Sequence, residues 1–143
     1  MKATAFQKKE KGQSLMELAI SVTLLILILA GIVDLGRAAY TQMALQDAAE
    51  EGVVYGVAFP NKCTEITNRV LGNLSAGLHP ETTSVDIEIG GTECSTATGV
   101  AGNEMIVTVS QPFQITMPIL GAITGQTIPL KATANGVLLR PQP

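Results

Sequence analysis

The sequence predicts an α+β protein, a long N-terminal membrane helix carrying a small C-terminal antiparallel β-sheet head. Three observations predict it. An apolar run without a charge extends from Leu18 to Val33. Helix-forming sequence then continues with no proline until Pro60. Beyond residue 83 the chain changes to the period-two alternation of half-buried strands.

The chain has 143 residues, and its hydrophobic fraction of 46% is concentrated in the first third. Net charge is −3, and the positive charge gathers at Lys2, Lys8, Lys9 and Lys11, opposed there only by Glu10. No basic cluster follows residue 11, and aromatics are only 3% of the chain. Nucleic acid is therefore excluded as a partner, because phosphate binding needs grouped Lys and Arg and base stacking needs aromatic platforms. A single histidine, His79, leaves no Ser/His/Asp set and no catalytic residue, so the chain does not read as an enzyme. Cys63 and Cys94 stand apart, in no CxxC or Cys/His spacing, so no metal or other cofactor is expected.

From Leu18 to Val33 only Ser21 and Thr23 are polar. At 1.5 Å per residue this run spans roughly 24 Å, short of a hydrocarbon core of about 30 Å. Adding Gln13 to Glu17 extends it to roughly 31 Å. The lysines before it and Asp34 after it orient the segment with its N-terminus in the cytoplasm and later residues outside. An ordinary secretory signal fits poorly, since ILAG around Ala30 is a weak small-residue cleavage pattern and the apolar run is long. An uncleaved signal anchor is the simpler alternative.

The residues after Val33 read DLGRAAYTQMALQDAAEEGVVYGVAF, rich in alanine and good helix formers. One helix is expected from about residue 13 to about residue 58, with a stripe at Ile32, Leu35, Ala39, Met43, Gln46, Ala49 and Val53. Asp34 and Arg37 are spaced to form an ion pair on one face. A second row falls at every fourth position, at Gly36, Tyr40, Ala44, Ala48, Gly52 and Gly56. Small residues so spaced let another backbone approach closely. The row suits either a neighbouring helix or the protein's own sheet, or is divided between the two. An anchor alone does not need a helix that continues so far past its span. A filament subunit does, with one half bundled among copies and the other carrying a head.

Glu17 at the threshold of the apolar run is the anomaly, because an unpaired carboxylate in hydrocarbon costs several kcal/mol. Cutting between Gly12 and Gln13 would resolve it. The freed amine of Gln13 would lie one helical turn from Glu17, within reach in one chain or between chains. The cut would also remove the lysine stub that holds this end at the cytoplasmic face, taking the formal charge from −3 to about −6.

A basic stub, Gly12, Glu17 and an apolar helix resemble the type IV prepilin signature of the class III type. More narrowly, Gly12–Ser14, Asp34–Arg37 and Ala44–Gly56 resemble the TadE/TadG-like pseudopilins of tight-adherence (Tad/Flp) pilus systems. The C-terminal stretches MIVTVSQPFQITMPILG and IPLKATANGVLLR share the family's look. The resemblance implies cleavage by a prepilin peptidase and residence in the inner (cytoplasmic) membrane among lipid. It then implies assembly by a membrane platform into an extracellular pilus with copies of itself or other pilins. It supplies no catalytic residue.

The organisation expected is a leader at 1–12, a long helix at 13–59 and an outer head at 60–143. In the head, Pro60 ends the long helix. EITNRVLGNLSAGL at 65–78 reads as a short amphipathic helix weakened by Gly72 and Gly77. TSVDIEI alternates, with Val85, Ile87 and Ile89 on one face and Asp86 and Glu88 on the other. The stretch 90–103 reads as a polar loop, and EMIVTVS as a strand ended by Pro112. From Gln111 to Gly125 the chain reads as extended or irregular. Ile128, Leu130, Ala132, Ala134 and Gly136 mark a last strand, and RPQP a loose tail. His79 is expected in a solvated turn, and Glu50 and Glu51 on a solvated helix face. So small a head gains from a staple. A Cys63–Cys94 disulfide would contribute about 3–4 kcal/mol by loop closure, and an outward-facing compartment permits it. Otherwise the two are buried thiols.

Two functions remain open on these residues: a pilin-like structural subunit, or a binding domain on an uncleaved single-pass anchor.

Overall fold

The computed structural model describes residues 10–74, 78–97, 99–117, 121–122 and 125–139. Helix α1 runs over Glu10–Ala58 and α2 over Cys63–Gly72. A 3-10 turn at Pro80–Thr82 leads into β1 (Ser84–Ile89), followed by β2 (Thr92–Glu93), β3 (Glu104–Gln114) and β4 (Thr127–Val137). The chain divides into two compact units, Met1–Gly36 and Arg37–Pro143.

In the first unit α1 is the only described element. It already begins at Glu10, upstream of the expected cut, while the rest of the leader lies outside the described residues. Leu18, Leu24, Ile26, Ile32 and Leu35 are all more than half exposed, and most of their apolar neighbours are exposed too, with Leu27 partly buried. The Thr23 hydroxyl donates to the Ala19 carbonyl at 2.8 Å, so this polar group needs no external partner. The helix is long and apolar enough to cross a membrane.

The second unit is a four-stranded, wholly antiparallel sheet in the order β2-β1-β3-β4. Its inner face presents Ile87, Ile89, Met105, Val107, Val109, Ala132 and Ala134 to the head-level part of α1 and to Ile66 and Val70 of α2. The α+β architecture is the one the sequence predicts. The buried helix face overlaps the predicted stripe only at Ala49 and Val53. Leu35 and Met43 are exposed, and burial falls on Ala44, Leu45, Ala48, Ala49, Gly52 and Val53. The stripe followed the larger side chains, but the sheet approaches too closely for bulk. A Cβ on Gly136 of β4 would lie 2.6 Å from Val53 Cγ1 and 2.9 Å from Val57 Cγ2.

Several boundaries differ from expectation. Helix α2 starts at Cys63 and ends at Gly72, earlier than 65–78, and residues 75–77 lie outside the described ones. The Asn73 amide closes it by donating to the Arg69 carbonyl at 3.0 Å. The polar loop contains a strand. Gly90 and Gly91, at φ 58° and 79°, make a two-residue hairpin turn from β1 into β2. Such turns need positive φ at both positions, which glycine adopts without strain.

Pro112 does not end β3, which continues to Gln114. It stands opposite Pro129 in the β3–β4 register. The Leu138 amide donates to the Asn103 carbonyl and the Ile115 amide to the Gln126 carbonyl, both at 2.9 Å. Odd-numbered residues of β3 therefore bond to β4, and even-numbered ones face β1, whose pairing stops at Ser84↔Ser110. Pro112 lies past that end, where no strand asks for its missing N–H. Pro129 likewise turns its nitrogen to the outer edge of β4. The expected irregular region thus begins only after Gln114, and residues 118–120 and 123–124 of it, like the 140–143 tail, lie outside the described ones.

Candidate functional site

The residues expected to serve assembly lie along α1. Gly12, Gln13 and Glu17 are all helical and exposed, and a Cβ on Gly12 would meet nothing within 4 Å. Helical spacing sets Gln13 and Glu17 one turn apart on the same face. Around them nothing described covers the apolar surface.

The small-residue row divides. At Gly36 a Cβ would meet nothing within 4 Å, and Tyr40 is 55% exposed. From Ala44 onward the row is pressed against the protein's own head. A Cβ on Gly52 would come 2.5 Å from Val70 Cγ2 and 3.2 Å from Val107 Cγ1. At Gly56 it would collide with the Met105 thioether and come 3.2 Å from Ile66 Cδ1. Ala44, Ala48, Gly52 and Gly56 therefore pack against the protein's own sheet and α2, one of the two uses the row suits. The sheet takes them because a strand of buried valines needs the same close approach as a second helix would.

Asp34 is only 6% exposed. Arg37 is held by the head: its Nη1 donates to Thr116 Oγ1 at 2.6 Å, and its guanidinium lies 5.4 Å from the centre of the Phe113 ring. Cys63 and Cys94 are joined, with Cα atoms 6.0 Å apart. The bond ties the start of α2 to the segment after β2, so the two chain stretches that leave the helix and the hairpin cannot separate.

A polar latch beside the disulfide was not foreseen. The Tyr55 hydroxyl donates to Glu65 Oε2 at 2.6 Å, and Lys62 Nζ donates to the same carboxylate at 3.0 Å. Arg69 lies 4.8 Å over the Tyr55 ring and pairs with Glu51 at 3.3 Å. The hydrogen bond from Tyr55, then that from Lys62, holds the Glu65 carboxyl below its usual range. The same bonds to Glu65 raise the Tyr55 hydroxyl and the Lys62 ammonium. Glu51 thus does more than face solvent, whereas Glu50 is exposed and accepts from Gln46 at 3.0 Å. The i, i+3 spacing of Lys62 and Glu65 was a visible signal, but Tyr55 could be placed there only by folding α2 onto α1. His79 sits exposed before the 3-10 turn, 3.6 Å from Glu81. Among the described residues no group of His, Cys, Asp and Glu could hold a metal ion.

The TadE-like protein family profile matches residues 12–53. The match begins at the glycine of the expected cut and takes in Glu17, the apolar run, Asp34, Arg37 and the small-residue row through Gly52. Over that stretch, less than a third of the chain, the helix is similar to that of TadE-like proteins. The likeness is confined to the membrane-capable helix, and the family it points to is one of Tad pilus-associated proteins. That family is structural rather than enzymatic. It ends at Val53, before α2 and the sheet. No curated protein and no solved structure matches the chain.

Proposed function

We propose that the chain is a pilin-like structural subunit, a pseudopilin of a Tad/Flp type IV pilus. The observation that carries this reading is an apolar helix surface, exposed from Leu15 to Leu35, in a segment matched by the TadE-like family. A surface of that extent needs lipid or other copies of the same helix to cover it.

In this reading the chain enters the inner membrane with its lysine stub in the cytoplasm and its head outside. A prepilin peptidase cuts between Gly12 and Gln13. The new ammonium of Gln13 neutralises Glu17, in the same chain or the next, so the helix can leave lipid for an equally oily bundle of helices. Gly36 and the open face around it meet neighbouring subunits, while Ala44 to Gly56 keep the head seated. Asp34 pairs with Arg37 at the point where the apolar surface gives way to the head. Membrane platform proteins drive assembly into the extracellular filament, and the chain itself performs no catalysis.

N-terminal sequencing of protein recovered from pili tests the cut. A chain beginning at Gln13 supports the proposal. One that retains Lys8, Lys9 and Lys11 makes the chain an uncleaved anchor with an outer binding domain. Glu17→Ala should insert into the membrane normally and fail to assemble. Filaments that incorporate the variant as well as wild type would overturn the pairing.

A further inference from the structure

Strand β3 carries a buried polar atom that the fold does not satisfy. Gln111 is 6% exposed, and its Oε1 has no hydrogen-bond partner among the described residues. An acceptor left so in a protein interior is destabilising, and native folds seldom retain one without a reason. Gln111 lines a pocket of about 250 Å³ within the head unit. The pocket is also lined by Arg37, Thr41, Thr82, Phe113 and Gln114. It has room for more than one water molecule, and falls just below the roughly 300–1,000 Å³ typical of sites for drug-sized ligands.

We propose that this pocket binds a neutral, hydroxyl-rich ligand the size of a single sugar ring, such as the terminal unit of a glycan. The lining selects for hydroxyls. Among the described residues no carboxylate lines the pocket, so only the lone His79 imidazole there could meet a cation, and the Arg37 guanidinium repels one. A carboxylate ligand would suit Arg37 but would meet the Gln111 carbonyl oxygen acceptor to acceptor. A hydroxyl donates to Gln111 Oε1 once the side chain turns that covered atom towards the pocket, and it accepts from Arg37 or the Gln114 amide. If the Gln111 amide turns end for end, the same hydroxyl accepts instead. Leu78, Pro112 and Phe113 supply apolar wall for the ring carbons. Arg37 is fixed by Thr116 and the Phe113 ring, so one wall of the pocket is pre-organised. The site belongs to the folded head and does not depend on whether the chain is cut after Gly12.

The test uses the full chain in detergent micelles, labelled with nitrogen-15, titrated with the methyl glycosides of glucose, galactose and N-acetylglucosamine. Inositol, a ring polyol that is not a sugar, separates sugar recognition from general polyol binding. The expected result is a saturable shift of the Phe113 and Gln114 backbone amide resonances, which the Gln111→Leu variant retains, with at least one glycoside, and a dissociation constant on the order of millimolar for so small a ligand. Gln111→Leu should melt at or above the wild-type temperature and lose the response at least tenfold. Thr41→Val, a milder change in the lining, should weaken it several-fold. No saturable shift with any glycoside overturns the proposal. So does a response equal to that of inositol, or one that persists unchanged in Gln111→Leu.

Discussion

Replacing Gly52 by alanine tests whether the small-residue row is used by the head or left for neighbours. The added Cβ would lie 2.5 Å from Val70 Cγ2 and 3.2 Å from Val107 Cγ1. Both valines are completely buried, on α2 and β3. Each is branched at Cβ and stiff at χ1, so neither can swing aside as a methionine would. Overpacking of this kind costs about 1–3 kcal/mol. Alanine is favoured over glycine inside a helix by about 0.8–1.0 kcal/mol, which offsets part of the loss. Gly72→Ala is the control, since a Cβ there meets nothing within 4 Å and gains at most the same helix preference. The two variants should therefore differ by about 1–3 kcal/mol. At about 4–8 °C per kcal/mol for a unit near 100 residues, that separates their melting temperatures by at least ~4 °C and at most ~24 °C. The assay is thermal unfolding of the full chain in detergent, followed by tyrosine emission. If Gly52→Ala melts together with Gly72→Ala, the row is not pressed on α2 and β3, and the argument fails.

Other consequences can be checked on the same preparation. Cys63→Ser should destabilise the head by about 3–4 kcal/mol from the lost loop closure, and a reductant should lower wild type towards the melting temperature of the variant. Leu45→Ala, at a site with no exposure, should cost about 2–5 kcal/mol, whereas Met43→Ala, 68% exposed on the same helix, should change stability by under about 0.5 kcal/mol. The latch gives a pH profile. The Glu65 carboxyl is lowered from 4.5, so its contribution is present above that pH and is lost as pH falls through the depressed value. Tyr55 and Lys62 are raised from 10.0 and 10.5, so their contribution is present below pH 10 and is lost in stronger alkali. Melting temperature should thus be flat between these limits. Tyr55→Phe should leave that plateau almost unchanged, because an exposed bond of this kind is worth little, while weakening the acid-side fall.

Elements set by local pattern were legible without coordinates. The span needed only its composition. Strand β1 showed its faces in the alternation of Val85, Ile87 and Ile89 with Asp86 and Glu88. The turn into β2 was legible too, in the Gly90-Gly91 pair directly after an alternating run, but was read as loop because β2 is only Thr92–Glu93. Pro112 misled for a different reason. Whether a proline interrupts a strand depends on what lies beside its nitrogen, and that is the length of β1, not a property of the residues around it.

The candidate sites divide along the same line. Gly12, Gln13 and Glu17 stand out in one dimension because chain polarity, the lysine stub and the edge of the apolar run are sequential facts. Gln111 and the Tyr55–Glu65 bond could not be found that way. Each joins elements far apart in the chain, and its burial or partner exists only once those elements dock.

Sequence by itself determined that a helix able to cross a membrane would be followed by more helix and then by strands, because hydropathy period, alanine content and proline placement act over neighbouring residues. Tertiary structure alone decided which side of α1 is covered. Both large and small residues lay on that helix in helical rows. The approach of β3 and β4, closer than a leucine or methionine would allow over most of the contact, chose the small ones.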